Sequence, residues 1–293
     1  MMSEKIIVPT PTTKKVKDYA LNTTKILYIS LVLILLYIPI VFIIILSFNK
    51  NLLGTSFEGF TFQWYQKMLE KKNLKEAIIN TLSISFFSTI ISTVGGTLFA
   101  IGINSLSKGK RKAIIMLNNI PILNADIVSG VFLFIVFKTI GSILGNQYPL
   151  GYFTLLLSHI FFSLPYVVLS VLPKLNEIDN NLYDAALDLG CKPRSALWKV
   201  IVPAISGGIF SGAVLALTMS IDDFTISYFV SGADVQNLSI WIYSSSGNAR
   251  FGNIQCAYAF YSIITIVLFG SLLAYNVIVK KKNQRLKNGG NNK

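Results

Sequence analysis

Apolar residues run through this chain in long blocks, and polar residues are confined to the stretches between them. The block from Ile26 to Phe48 contains no charged residue. A helix needs about 20 mostly apolar residues to cross the hydrocarbon of a bilayer. Six blocks meet that demand, at about 25–47, 77–104, 113–137, 150–173, 205–230 and 255–279. The pattern predicts an all-α polytopic transmembrane helical bundle of six spans. The first block is too long for a signal-peptide core, and no small-residue cleavage site follows it. It is expected to stay as a span. Residues 1–24 are polar, with Pro9, Pro11 and several lysines, and read as a disordered tail. The remaining division is a first span with its outer loop at 25–75, a transmembrane core at 76–280 and a basic tail at 281–293.

Composition sharpens this picture. Hydrophobic residues make up 53% of the 293 and charged residues only 13%. Soluble domains run near a quarter charged, and disorder needs low hydrophobicity. Both classes are excluded. The two cysteines, Cys191 and Cys256, and the single His159 are too few for a disulfide framework or a metal site.

The net charge of +13, from 26 Lys and Arg against 13 Asp and Glu, reads as membrane orientation. No basic stripe lies on a soluble fold, so nucleic acid is not an expected partner. Basic residues concentrate on the cytoplasmic side of a membrane. With the N-terminus inside, nineteen Lys and Arg fall in cytoplasmic segments and seven outside. The first loop is discordant, with five lysines, but it also holds Glu58, Glu70 and Glu76. Six spans with both termini in the cytoplasm is the expectation.

The loop after the fourth block carries the most specific pattern, from Asn181 to Pro203. Physically it is two short helices joined by a tight turn. Asn181 or Asp184 can cap the first. Gly190 supplies the left-handed residue that ends it, and Pro193 can open the second. Ala185 and Ala186 leave a thin surface, with Leu187, Leu189, Leu197 and Trp198 for apolar contact. An amphipathic helix lying on the inner membrane surface would show the same composition.

The spacing resembles the EAA loop of ABC importer permeases: acidic-Ala-Ala, three residues, Gly, nine residues, then Ile-x-Leu-Pro. Asp184-Ala185-Ala186, Gly190, Val200 and Val202-Pro203 fill it, with Asp for Glu and Val for Ile and Leu. The resemblance implies the type I ABC importer permease fold, with this loop as the coupling helix that docks on an ATP-hydrolysing subunit. It also implies that this chain hydrolyses nothing. The chain indeed lacks a Gly-x-x-x-x-Gly-Lys-[Ser/Thr] phosphate loop.

Further stretches are similar to the spermidine/putrescine permeases of that class. They are Ser47-Phe-Asn, Gly59-Phe-Thr-Phe-Gln-Trp64-Tyr65, Ala125-Asp126-Ile-Val, Ser158-His159-Ile-Phe-Phe-Ser-Leu-Pro165 and Ser220-Ile-Asp222-Asp223-Phe-Thr-Ile-Ser-Tyr-Phe-Val-Ser-Gly232. The resemblance covers nearly all of the chain after its tail. It implies a second homologous permease, two ATP-binding subunits that use ATP and Mg, and an extracytoplasmic polyamine-binding protein. It implies no cofactor on this chain itself, and a place in the plasma or inner membrane of a bacterium.

Charge placement points the same way independently. Ten of the 13 acidic residues lie in tails or loops, and the remaining three, Asp126, Asp222 and Asp223, fall within expected spans. No Lys or Arg accompanies them. An ionisable residue at the bilayer centre costs at least about 2.5–3.5 kcal/mol, so it usually faces a bundle interior or a water-filled path. Three unpaired acids suit a polycation. They would alternatively bond to hydroxyls or backbone of a neighbouring subunit. Asp222 and Asp223 stand about 100° apart on a helix, so at most one points into a path. The other would cap a kink or bind the partner subunit.

Ser220 lies near that face and can add a hydroxyl ligand, and Tyr166 beside Pro165 can line the path. Trp64 with Tyr65 reads either as a headgroup-level anchor or as part of the surface that receives the binding protein. His159 reads as a hydrogen-bonded packing residue ahead of a proton relay. Pro39, Pro121 and Pro165 are expected to kink their spans. Two rival functions remain open: the same importer class with another small cation, a metal complex or an organophosphonate, and an ion-coupled secondary carrier with Asp126 as its coupling site.

Overall fold

The computed structural model describes residues 11–51, 56–145, 149–179, 181–233, 235–246 and 253–290. Among the described residues the chain is helical, and its one β feature is an isolated bridge between Asn49 and Phe60. Helix α1 spans Pro11–Ser47, α2 Gln63–Glu70 and α3 Lys72–Asn104. Helix α4 is Lys108–Leu123, α5 Asp126–Ile143 and α6 Tyr152–Glu177. The short α7 (Asn181–Asp188) and α8 (Pro193–Ala196) lead through a π-helical turn at Leu197–Ile201 into α9 (Val202–Ala204). Helices α10 (Ser206–Asp222), α11 (Thr225–Val230), α12 (Leu238–Ser246) and α13 (Asn253–Gly290) complete the order.

Five helices are long and apolar enough to cross a membrane, and six if the segments Pro193–Ala204 and Ser206–Asp222, bent by 72°, count as one span. The all-α expectation of six spans holds at that level. Two blocks differ in detail. The expected span at 113–137 is two helices: the chain is extended at Asn124 and Ala125, one turn after Pro121. The expected span at 205–230 breaks at Asp223, where the backbone is again extended. By contrast, helix continues through Pro39 and Pro165. Helix α1 starts at Pro11, inside the stretch expected to be a disordered tail, and residues 1–10 lie outside the described residues.

The chain divides into two compact units, Met1–Tyr65 with Gln255–Lys293, and Gln66–Ile254. In the first, Tyr37 of α1 meets Phe269 of α13 edge-on at 6.0 Å. The Tyr65 hydroxyl bonds Ser47 Oγ at 2.8 Å and Ser262 Oγ at 2.9 Å. In the second, α3, α6 and α10 pack on one another. Valines 167, 168 and 171 of α6 are fully buried between them. Close approach depends on small residues, as between helices in lipid. A Cβ on Gly96 of α3 would lie 2.8 Å from Val167 Cβ, and one on Gly212 of α10 would lie 3.1 Å from Val167 Cα. Helix α11 packs against α5 and α6, which carries the break at Asp223 toward the start of α5.

Candidate functional site

Both breaks open onto one cavity of about 240 Å³ in the second unit. Its walls include Pro121 and Asp126 at the α4–α5 break, Phe162 and Tyr166 of α6, and Met219, Asp222, Asp223 and Phe224 at the α10–α11 break. Four expected site residues, Asp126, Tyr166, Asp222 and Asp223, therefore line the same space. No Lys or Arg is among the lining residues. Asp126 is the first residue of α5 rather than a mid-helix residue. That end of a helix favours a negative charge.

The two adjacent aspartates have different surroundings. Asp223 Oδ2 accepts hydrogen bonds from Ser227 N at 2.8 Å and Ser227 Oγ at 2.6 Å, and Oδ1 accepts from Ile226 N at 3.3 Å. These are orphan donors of the first turn of α11, so Asp223 caps the second half of the broken span. Asp222 is exposed to the cavity and makes no hydrogen bond or ion pair among the described residues. The expectation that one acid faces a path while the other caps a kink fits this geometry, with Asp222 facing and Asp223 capping.

Two expected site residues lie elsewhere. Ser220 is buried away from the cavity, with its Oγ 2.6 Å from His159 Nδ1 and 3.0 Å from Ser88 Oγ. It has no free face for a ligand. Trp64 is fully buried in the first unit, and its indole Nε1 donates to Asn49 O at 2.6 Å. An indole held in this way supports the loop after α1. It forms neither a headgroup anchor nor a receiving surface.

The sequence reading missed an aromatic cluster beside the cavity. Phe224 lies 5.6 Å from Tyr228 and 4.9 Å from Tyr243, centroid to centroid, and the two tyrosine rings are 5.9 Å apart. The four-residue step from Phe224 to Tyr228 hints at one helical face. Tyr243 comes from α12, and no local spacing signals it. His159 is a hydrogen-bonded packing residue, as expected, with both ring nitrogens engaged.

The Asp184 loop folds as its sequence suggests at its turn. Gly190 has φ +80°. Gly190 N donates to Leu187 O at 2.8 Å and Cys191 N to Ala186 O at 3.1 Å, which is the Schellman pairing at the end of α7. Pro193 opens α8. The N-terminal cap differs from the expectation: Asp179 Oδ1, rather than Asn181 or Asp184, accepts Asn181 N at 3.0 Å. Asp184, Ala185 and Pro203 are exposed, whereas Ala186 is buried, so Ala185 alone offers a thin surface. Leu189 is 87% exposed and Trp198 60%. Leu197 instead packs inward against the apolar core. Under α7, Tyr183, Leu197 and Ile201 line a second cavity of about 380 Å³.

Residues 105–286 match the model of the binding-protein-dependent transport system inner membrane component family. This chain belongs to that family of permeases. A spermidine/putrescine transport system permease protein, PotC of Haemophilus influenzae, is 32% identical over 85% of this permease and 93% of its own length. The putrescine transport system permease protein PotI of Escherichia coli is 28% identical over 72% and 75%. Among solved structures, a bacterial ABC transporter involved in import of the acidic polysaccharide alginate has the same fold, with a TM-score of 0.64. It is 19% identical, and the match covers 92% of this permease and 99% of that chain. The cavity and the Asp184 loop therefore belong to an ABC importer permease with several membrane-spanning helices.

Proposed function

We propose that this permease moves polyamines such as spermidine and putrescine into the cytoplasm, as one of two homologous membrane subunits of an ATP-driven importer. The supporting observation is the convergence of Asp126, Asp222 and Tyr166 on one cavity without a basic residue. A polyamine must shed water to enter a bundle, and carboxylates replace what its ammonium groups lose. The Phe224 ring at the cavity wall adds cation–π attraction of about 0.5–2 kcal/mol. The cavity is smaller than the roughly 300–1,000 Å³ of ordinary ligand pockets, which suits one wall of a passage completed by the second subunit. An organophosphonate would meet carboxylates and no base.

Two ATP-binding subunits, using ATP and Mg, drive the change of access. The loop from Asn181 to Pro203 receives one of them, with Leu189, Trp198 and Ala185 as its contact surface. An extracytoplasmic polyamine-binding protein delivers cargo from the other side. Both termini and this loop lie in the cytoplasm of a bacterial cell. The reading is tested by uptake of labelled spermidine and putrescine into vesicles holding the reconstituted complex. ATP-dependent uptake competed by polyamines supports it. Uptake without any ATPase, or competition by anions or metal complexes alone, refutes it.

A further inference from the structure

Behind Asp223 lies a polar network that the cavity does not reach. Ser88 of α3, Ser220 of α10, His159 of α6, Ser227 of α11 and Asn237 before α12 are all fully buried or nearly so. Ser88 Oγ meets Ser220 Oγ at 3.0 Å, and Ser220 Oγ meets His159 Nδ1 at 2.6 Å. His159 Nε2 meets Ser227 Oγ at 3.0 Å, and Ser227 Oγ donates to Asp223 Oδ2 at 2.6 Å.

Donor counting fixes the direction of this chain. A carboxylate only accepts, so the single Ser227 hydroxyl proton goes to Asp223. Asn237 Nδ2 already donates to Ser227 Oγ at 2.8 Å and to Asp223 O at 2.9 Å. The imidazole nitrogen facing Ser227 must then donate as well, which places the ring proton on Nε2. The Asp223 carboxylate is 3.8 Å from Nε2, outside hydrogen-bond reach. The carboxylate stands within ion-pair range of the ring, but burial makes a charged imidazole costly. In a neutral ring with its proton on Nε2, Nδ1 accepts the Ser220 hydroxyl proton.

We propose that His159 is a positioning residue, locked as the Nε2–H tautomer, that holds Ser227 and Asp223 as the clamp on the α10–α11 break and thereby presents Asp222 to the cargo. Its role in transport rests on the reading of Asp222 as the cargo-facing acid. The clamp joins α3, α6, α10 and α11.

His159 is the single histidine of the chain. Labelling this subunit alone with ¹⁵N-histidine, in the complex with unlabelled partners, gives one imidazole spectrum. A protonated Nε2 with a bare Nδ1 is expected, and Ser227→Ala should shift the Nε2 signal. A ring protonated on Nδ1 alone, or on both nitrogens, overturns the proposal whatever the cargo. The functional arm compares three variants at equal complex assembly. In His159→Gln the amide nitrogen can reach the Nε2 position and donate to Ser227, so uptake should stay within about threefold of the parent. His159→Asn reaches only the Ser220 side, and His159→Leu reaches neither. Both should raise KM for uptake about tenfold, the change expected from one hydrogen bond. Equal uptake by Leu and Gln variants would reduce His159 to packing. Normal uptake by Asp222→Asn, with the Nε2–H ring intact, would instead defeat the site reading and leave only a structural clamp.

Discussion

Asp222 and Asp223 are chain neighbours with opposite positions: Asp223 is tied into the first turn of α11 through Ser227, while Asp222 faces the cavity without a bond of its own. Replacing Asp222 by Asn and Asp223 by Ala should therefore give different defects. Asp222→Asn should leave assembly and thermal stability unchanged and lower uptake. Losing one desolvated charge-assisted contact costs about 1.5–3 kcal/mol, or roughly ten- to a hundredfold in affinity. Asp223→Ala should destabilise the complex by about 0.5–2 kcal/mol, as expected for a lost cap. Thermal unfolding and uptake measured side by side separate the two. Equal stability loss in both variants would contradict this division of roles.

At Gly190 the constraint is backbone conformation alone. Its φ is +80°, and a Cβ there would meet nothing within 4 Å. Gly190→Val should cost about 1–3 kcal/mol of local strain and displace the end of α7, weakening capture of the ATPase subunits. Asn tolerates left-handed backbone, so Gly190→Asn should retain most ATPase capture. Co-purification of the ATPase with each variant reads this directly. Equal loss in both would point to side-chain volume at this position rather than to the turn.

The membrane fold was legible because long apolar blocks are a strong signal and need no knowledge of neighbours. The turn at Gly190 and Pro193 was legible for a similar reason: the rules that set it are local. Kinks were read at Pro121 and at the Asp222–Asp223 pair, but not full breaks into extended backbone at Asn124–Ala125 and Asp223, since apolar residues continue through both and hydropathy does not register an extended pair. Asp126 and Asp222 could be singled out as intramembrane acids, but their meeting depends on α11 packing against α5. The misplacement of Trp64 and Ser220 has the same origin. Each is satisfied by a distant partner, Asn49 O for the indole and His159 Nδ1 for the hydroxyl. A sequence does not show where a polar side chain finds its partner.

Trp64 should behave as a supporting residue. Trp64→Phe keeps an aromatic ring but removes the indole N–H, leaving the Asn49 carbonyl without that donor. A buried polar group so deprived costs about 1–3 kcal/mol. The expected result is a lower unfolding temperature with unchanged KM for cargo and unchanged affinity for the binding protein. A selective loss of binding-protein affinity would restore the receiving-surface reading.

Orientation is checked by single cysteines in a background without Cys191 and Cys256. On the proposed orientation Ser107 and Ser195 lie inside and Asn146, which is outside the described residues, on the external face. Ser107→Cys and Ser195→Cys should resist an impermeant thiol reagent in intact cells and react after permeabilisation. Asn146→Cys should react at once. Labelling of Ser195→Cys from outside would invert the topology and remove the loop from the ATPases.

Asp126 has two possible employments, and their magnitudes separate them. As the first residue of α5 its charge stabilises a helix N-terminus by about 0.3–1 kcal/mol. As a counter-charge to an ammonium group in the cavity, it would contribute about 1.5–3 kcal/mol to holding cargo. Asn keeps much of the shape and removes the charge. Asp126→Asn should then shift unfolding by under about 1 kcal/mol while lowering uptake at least tenfold. A helix-end role alone predicts the small stability loss with uptake near normal. Combining Asp126→Asn with Asp222→Asn tests whether the two acids act on one cargo molecule. If both contact it in the same state, the double variant should lose less than the product of the single effects, because the cargo no longer adopts the pose that either acid rewards. Full uptake by the double variant would move the cargo site to the second permease subunit.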